Sequence, residues 1–126
     1  MRSVKTPVKG VIQLPVLSPS SFLFFKYREM IKNWQWGPET FRSIYVPRFL
    51  EEMHSEPAVY WLNRLWIEDR TGRTVLLACY CPDEAMCHRS IVAGLLQGAG
   101  ADVRAQDNYS HYYTQYVERR ENGKQS

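Results

Sequence analysis

The sequence predicts a single α/β domain of 126 residues, in which helices pack on a short, mainly parallel sheet. The first observation is the continuous apolar run at residues 73–80, which is typical of a strand covered on both faces. The second is that a helical pattern over residues 88–97 and another extended segment at 102–106 follow it. Residues 73–106 are therefore predicted to form one βαβ unit.

Three helices are predicted ahead of this unit. The first begins near Phe22, after serines that can accept hydrogen bonds from the amides of its first turn. Pro38 suits the first turn of the second helix, which Pro47 should kink or divide. The third spans residues 57–70 and ends at Thr71-Gly72.

The two ends of the chain carry weaker patterns. Residues 1–15 are predicted to be an extended segment, and the polar residues 120–126 a frayed tail. Between them, four tyrosines recur at helical spacing and define one face of a terminal helix, the tyrosine face: Tyr109, Tyr112, Tyr113 and Tyr116. This face is expected to dock on the sheet, or alternatively to mediate self-association as a homodimer.

Composition excludes several functional classes. Lys and Arg exceed Asp and Glu by only three, well short of the charge of a dedicated nucleic-acid coat protein. No stretch reaches the roughly 20 apolar residues that cross a bilayer, so no membrane partner is expected. The odd number of three cysteines and the absence of a signal sequence in MRSVKTPVKG predict a reducing, cytoplasmic location.

All three cysteines lie at the corner between the predicted strand and the following helix. Cys79 and Cys81 should project from the same face at the carboxyl end of the strand, and Cys87 and His88 begin the helix. Ligands collect at this edge of α/β sheets, because helix N-termini there offer unpaired amides and a positive dipole to an anion. The corner is therefore predicted to bind a small anionic ligand, such as the phosphate of a nucleotide or nucleic acid.

The residues expected to contact that ligand are Arg89, Ser90, Asp83 and Trp36. Arg89 offers a planar fork of donors that matches a phosphate. Trp36 lies in a loop ahead of a helix, where its ring could form a wall against a base. Asp83, with Glu84, could also act as a general base near the helix start, although acids in a surface turn usually serve solubility.

Two further interpretations of the corner remain open. In the first, Cys87 is a nucleophilic or redox thiol whose thiolate the helix dipole favours, and His88 is the acid/base. In the second, Cys79, Cys81, Cys87 and His88 hold zinc, although adjacent ligands such as Cys87 and His88 are geometrically awkward. Otherwise no cofactor is expected, and Cys79 and Cys81 are small buried hydrophobic residues.

This corner resembles the signature of the family catalogued as domain of unknown function 488. The resemblance is carried by Cys79, by Pro82-Asp83-Glu84 in the turn, and by Cys87-His88-Arg89 at the helix start. It extends more loosely to LSPSSFLFFKYREM and to Trp36 followed by ETFRSIY, and so covers roughly residues 16–105. It implies an α/β sandwich with a suspected site and no established reaction.

The chain departs from the family pattern in two places. Trp36 lies five residues before Phe41, a longer spacing than in the family, so Gly37-Pro38 looks like an insertion. Family members also begin with a strand and an Arg-containing segment that lines the cleft, whereas residues 1–14 show only VKGVIQLP. The sequence as a whole predicts anion binding at the corner between strand and helix. The alternatives are a thiol-dependent enzyme that uses Cys87 and His88, and a protein-interaction module that uses the tyrosine face.

Overall fold

A computed structural model describes residues 17–72, 84–103 and 105–125, with side chains described as far as residue 119. The elements are α1 (Ser21–Lys32), α2 (Pro38–Thr40), a π-helical segment (Phe41–Tyr45), α3 (Val46–Glu52), α4 (Glu56–Arg70), a 3-10 turn (Glu84–Met86), α5 (His88–Gly98) and α6 (His111–Gln125). None of the helices in these ranges is both long enough and apolar enough to span a bilayer.

The prediction of an α/β fold with a parallel sheet is wrong. The described part of the chain is 73% helix and contains no strand. The first predicted strand, at 73–80, lies outside the described residues. The described residues of the second, at 102–106, form a connection without regular structure between α5 and α6.

Along this connection, side chains make the backbone hydrogen bonds that a neighbouring strand would make in a sheet. The Gln97 amide donates from Nε2 to the Val103 carbonyl at 3.0 Å and accepts at Oε1 from the Tyr109 amide at 2.9 Å. The Gln106 amide donates to Glu84 Oε2 at 2.8 Å. Because these backbone groups already have partners, the extended pattern needs no ladder to satisfy them.

The helix boundaries agree with the sequence more closely. Ser20 caps α1, with its hydroxyl accepting from the Leu23 amide at 3.2 Å, so the predicted start near Phe22 is confirmed. The predicted division of the second helix is also confirmed. Pro47 has no amide and its ring crowds the carbonyl one turn earlier, and the chain just ahead of it forms the π-helical segment.

Helix α5 lies at the centre of the core. Eight of its eleven residues are buried: His88, Ser90, Ile91, Val92, Ala93, Gly94, Leu95 and Leu96. It contacts α3, α4 and α6, and the surrounding cluster includes Leu23, Phe49 and Leu50, none of which is exposed. The start of α5 therefore lies inside the packed interior, where polar groups are shielded from water.

Helix α6 and the residues before it pack on α5 at two glycines. A Cβ atom at Gly94 would lie 2.0 Å from the Tyr109 carbonyl oxygen, and one at Gly98 would lie 2.1 Å from Tyr113 Cβ. Farther along, the Tyr116 hydroxyl donates to the Met53 carbonyl at 2.7 Å. The tyrosine face thus docks on helices where a sheet was expected, and the homodimer stays a prediction.

Candidate functional site

The candidate site is the start of α5, which Cys87 precedes. The 3-10 turn ends with the Cys87 amide donating to the Glu84 carbonyl at 3.1 Å, and Cys87 then takes an extended conformation as the N-cap. Its side chain makes no capping hydrogen bond. The first turn of a helix carries amides without intrahelical partners, so this end of α5 keeps donors that its N-cap side chain does not satisfy.

Cys87 and His88 are buried next to each other. Their side chains are 1% and 2% exposed, and Cys87 Sγ lies 3.7 Å from His88 Nδ1. The imidazole also packs on Phe49, at 5.8 Å between ring centroids. Its second nitrogen, Nε2, is buried without a hydrogen-bond partner among the described residues. The ring therefore contacts the thiol on one side and holds an unused donor or acceptor on the other.

Arg89 pairs loosely with Glu84. Its Nε atom lies 3.8 Å from Glu84 Oε1 and is buried without a hydrogen-bond partner in the described ranges. The other carboxylate oxygen, Oε2, accepts from the Gln106 amide at 2.8 Å and from the Tyr109 hydroxyl at 3.1 Å. Burial, together with the hydrogen bond to Glu84, raises the pKa of Tyr109 to about 12.

Ser90 faces the interior. It is fully buried, and its hydroxyl donates to the Cys87 carbonyl at 2.8 Å within the first turn of α5. Burial raises the pKa of Tyr112, and the Ser90 hydroxyl and the charge of Arg42 oppose that shift. Ser90 is therefore close enough to Tyr112 on α6 to affect its ionisation.

Trp36 belongs to an aromatic cluster that connects to the site through other rings. It packs edge-on against Tyr27 at 4.6 Å and against Tyr45 at 5.7 Å. Tyr45 stacks on Phe49 at 6.2 Å, and Phe49 in turn contacts His88. Trp36 thus supports the core beneath α5, and its role as a ligand wall stays a prediction.

Most of the chain matches the model of a known protein family. The model of the DUF488-N3a family, described as the active DUF488-N3 subclade, matches residues 5–100. The chain belongs to the DUF488 family. The resemblance based on the Cys87-His88-Arg89 triplet is thereby confirmed. Searches among curated proteins and among solved structures found no match.

The remaining predicted residues of the DUF488 site are Cys79, Cys81 and Asp83, and they lie outside the described residues. In the ranges that are described, no group of three or more His, Cys, Asp or Glu side chains is close enough to hold a metal ion. The zinc interpretation needs both Cys79 and Cys81, so it stays a prediction.

The sequence does not predict the two contacts by which Glu84 joins Arg89 to Tyr109. The sequence suggests Glu84 as a general base near His88, whereas the structure places its carboxylate beside Arg89. The spacing of five residues across a helix start could have suggested that pair. Tyr109 lies 25 residues from Glu84 and showed only helical periodicity, which gives no signal of this contact.

Proposed function

We propose that this DUF488 protein binds the phosphate of a nucleotide or of a nucleic-acid end at the start of α5. The observation that carries the proposal is a pair of buried nitrogens, His88 Nε2 and Arg89 Nε, that have no hydrogen-bond partner among the described residues. Leaving a buried donor unsatisfied costs about 1–3 kcal/mol. A ligand with several acceptor oxygens would relieve that cost at both atoms.

The charge around the α5 start also favours an anion. Arg89 carries a permanent positive charge, and its guanidinium can make two parallel hydrogen bonds to a phosphate. The helix dipole adds a partial positive charge at the same end, strongest within the first turn. Glu84 opposes these contributions, but at 3.8 Å its carboxylate makes no hydrogen bond to Arg89 Nε.

Titration of the protein with inorganic phosphate and with adenosine monophosphate, followed by NMR, tests the proposal. Arg89→Gln should weaken binding of both by about tenfold, because it removes a charge-assisted pair of hydrogen bonds. The matched control is Arg64→Gln, since Arg64 is half-exposed on α4 and pairs with Glu68 at 3.4 Å. Equal affinities in the two variants, or no binding in the wild type, would contradict anion binding at this place.

A second candidate is a thiol-dependent enzyme, which the 3.7 Å contact between Cys87 Sγ and His88 Nδ1 favours. In this function His88 accepts the thiol proton, and the Cys87 thiolate forms a bond to an electrophilic centre of the bound ligand while the bond from that centre to its leaving group breaks. The protonated His88 then returns the proton to the leaving group. The buried environment would shield the resulting intermediate from water. The family description of the subclade as active is compatible with such chemistry and names no reaction.

The pH dependence of iodoacetamide labelling at Cys87, resolved by peptide mass spectrometry, tests the second candidate. An ordinary thiol has a pKa of about 8.5, so an activated Cys87 thiolate should be labelled well below that pH. His88→Asn should move that profile towards the ordinary value. Labelling with the same profile in both proteins would exclude His88 as the base.

A further inference from the structure

Glu84 occupies a position between the candidate site and the segment that leads into α6. One carboxylate oxygen, Oε1, faces Arg89 Nε at 3.8 Å. The other, Oε2, accepts hydrogen bonds from the Tyr109 hydroxyl and the Gln106 amide. The carboxylate is thus shared unequally, with its hydrogen bonds on the α6 side and only a longer electrostatic contact on the Arg89 side.

Because the Glu84 carboxylate is hydrogen-bonded elsewhere, Arg89 Nε makes no hydrogen bond to it. Charge-assisted hydrogen bonds between nitrogen and carboxylate oxygen are typically about 2.7–2.9 Å long. At 3.8 Å from Glu84, Arg89 Nε therefore has no hydrogen-bond acceptor among the residues that the structure describes. The Tyr109 hydroxyl stays protonated and remains a donor, since its pKa is raised to about 12 by burial and by Glu84. The contact that restrains Glu84 therefore persists across the physiological pH range.

We propose that Tyr109 is a positioning residue that holds the Glu84 carboxylate back from Arg89, and so keeps the guanidinium open to the phosphate. This inference rests on the proposed anion-binding function. Without the Tyr109 hydroxyl, Glu84 Oε2 loses one of its hydrogen bonds. The carboxylate can then turn towards Arg89 and form a direct, two-bond ion pair that competes with the ligand.

The position of Tyr109 links this control to the docking of α6. Its backbone carbonyl lies against Gly94 so closely that a Cβ atom there would be 2.0 Å away. Its amide donates to the Gln97 side chain at 2.9 Å. Both contacts are to α5, so the hydroxyl that restrains Glu84 is held by the same helix that carries Arg89. Displacement of this segment would release Glu84 and lower the affinity for the anion.

A double-mutant cycle with inorganic phosphate as the probe tests the inference. Tyr109→Phe should lower the affinity for phosphate by about threefold, the scale expected for a partly exposed ion pair. Glu84→Gln should raise the affinity, because it removes the competing charge. In the Glu84→Gln background, Tyr109→Phe should have no further effect. A loss that persists in that background would mean that Tyr109 acts through general packing, which overturns the inference.

A second measurement needs no ligand. The Arg89 Nε–H resonance, observed by proton–nitrogen NMR, should shift downfield in Tyr109→Phe as the direct bond to Glu84 forms, and it should stay in place in the Tyr60→Phe control, whose ring is 60% exposed. An unmoved resonance in Tyr109→Phe overturns the inference by itself. If the resonance shifts while Arg89→Gln leaves the phosphate affinity unchanged, the proposed function fails and the restraint on Glu84 stands.

Discussion

The thiol of Cys87 and the imidazole of His88 lie 3.7 Å apart, and both side chains are almost completely buried. Side chains one residue apart do not face each other within a helix. Here the extended conformation of Cys87 at the N-cap and the helical conformation of His88 turn the two groups to the same side. The core below them is closed by Phe49, which is also fully buried. A thiol–imidazole contact and a buried nitrogen without a hydrogen-bond partner among the described residues are thereby found together at one helix end.

Replacing His88 should separate function from stability. His88→Leu removes Nε2, a buried nitrogen without a hydrogen-bond partner in the described ranges, but also removes the 3.7 Å contact of Nδ1 with Cys87 Sγ. The side-chain volume stays similar, so we expect the unfolding free energy to change by less than about 1 kcal/mol. Phosphate affinity should fall in the same variant. Denaturant unfolding monitored by circular dichroism measures the first quantity, and NMR titration measures the second.

Ser90→Ala is the matched comparison for that variant. The Ser90 hydroxyl is buried and bonded to the Cys87 carbonyl at 2.8 Å, so its loss should destabilise the protein by about 1 kcal/mol. A stability loss in His88→Leu larger than that in Ser90→Ala would mean that the imidazole has a structural partner and is not held ready for a ligand.

Tyr109 should make the stability of the protein sensitive to strongly alkaline pH. Its pKa is about 12 in the folded chain against 10.0 for an ordinary tyrosine, so folding favours the protonated phenol. Its contribution to stability is therefore complete below pH 10 and is lost as the pH rises towards 12. Tyr109→Phe should show a shallower decline over this range in urea unfolding. The decline should not vanish, because burial also raises the pKa of Tyr112.

The start of α5 could be predicted from the sequence because its determinants are local. A turn with Pro and acidic residues and a following run of apolar residues lie within residues 82–98, and helix boundaries depend mainly on such neighbours. The same holds for the cap at Ser20 and for the break before Pro47. Local rules sufficed for these elements because each is completed by contacts within one or two turns.

The sheet was wrongly predicted because short apolar runs are ambiguous without their partners. Residues 102–106 have the sequence pattern of a strand. Their backbone groups, however, form hydrogen bonds with the side chains of Gln97 and Glu84 and not with a neighbouring strand. The contact of Tyr109 with Glu84 spans 25 residues and escaped prediction for the same reason. Tyr109 meets Glu84 through the packing of the segment before α6 against α5 and the 3-10 turn, and periodicity carries no information on such pairing.

The hydroxyl of Tyr116 should contribute measurably to the docking of α6 on α3. It donates to the Met53 carbonyl at 2.7 Å, and its ring stacks on His54 at 4.0 Å. Tyr116→Phe keeps the ring and removes the donor, so we expect a loss of about 1 kcal/mol in unfolding free energy. Tyr60→Phe is the control, because Tyr60 is 60% exposed. Equal stabilities in the two variants would show that the hydroxyl contributes nothing to this interface.

The close approach of the Tyr109 carbonyl to Gly94 should make the stability of the protein very sensitive to an added methyl group at this glycine. Because a Cβ atom there would lie 2.0 Å from the Tyr109 carbonyl oxygen, a backbone atom that cannot turn aside, Gly94→Ala must push the segment before α6 away from α5. We expect a destabilisation of about 2 kcal/mol or more despite the better helix propensity of alanine. The control is Gly37→Ala, where nothing lies within 4 Å of the added carbon and the change should stay within about 0.5 kcal/mol. Thermal unfolding of both variants measures the difference, and hydrogen exchange at the Tyr109 amide should rise only in Gly94→Ala. If Gly94→Ala unfolds at the wild-type temperature, α6 does not depend on this contact for its docking.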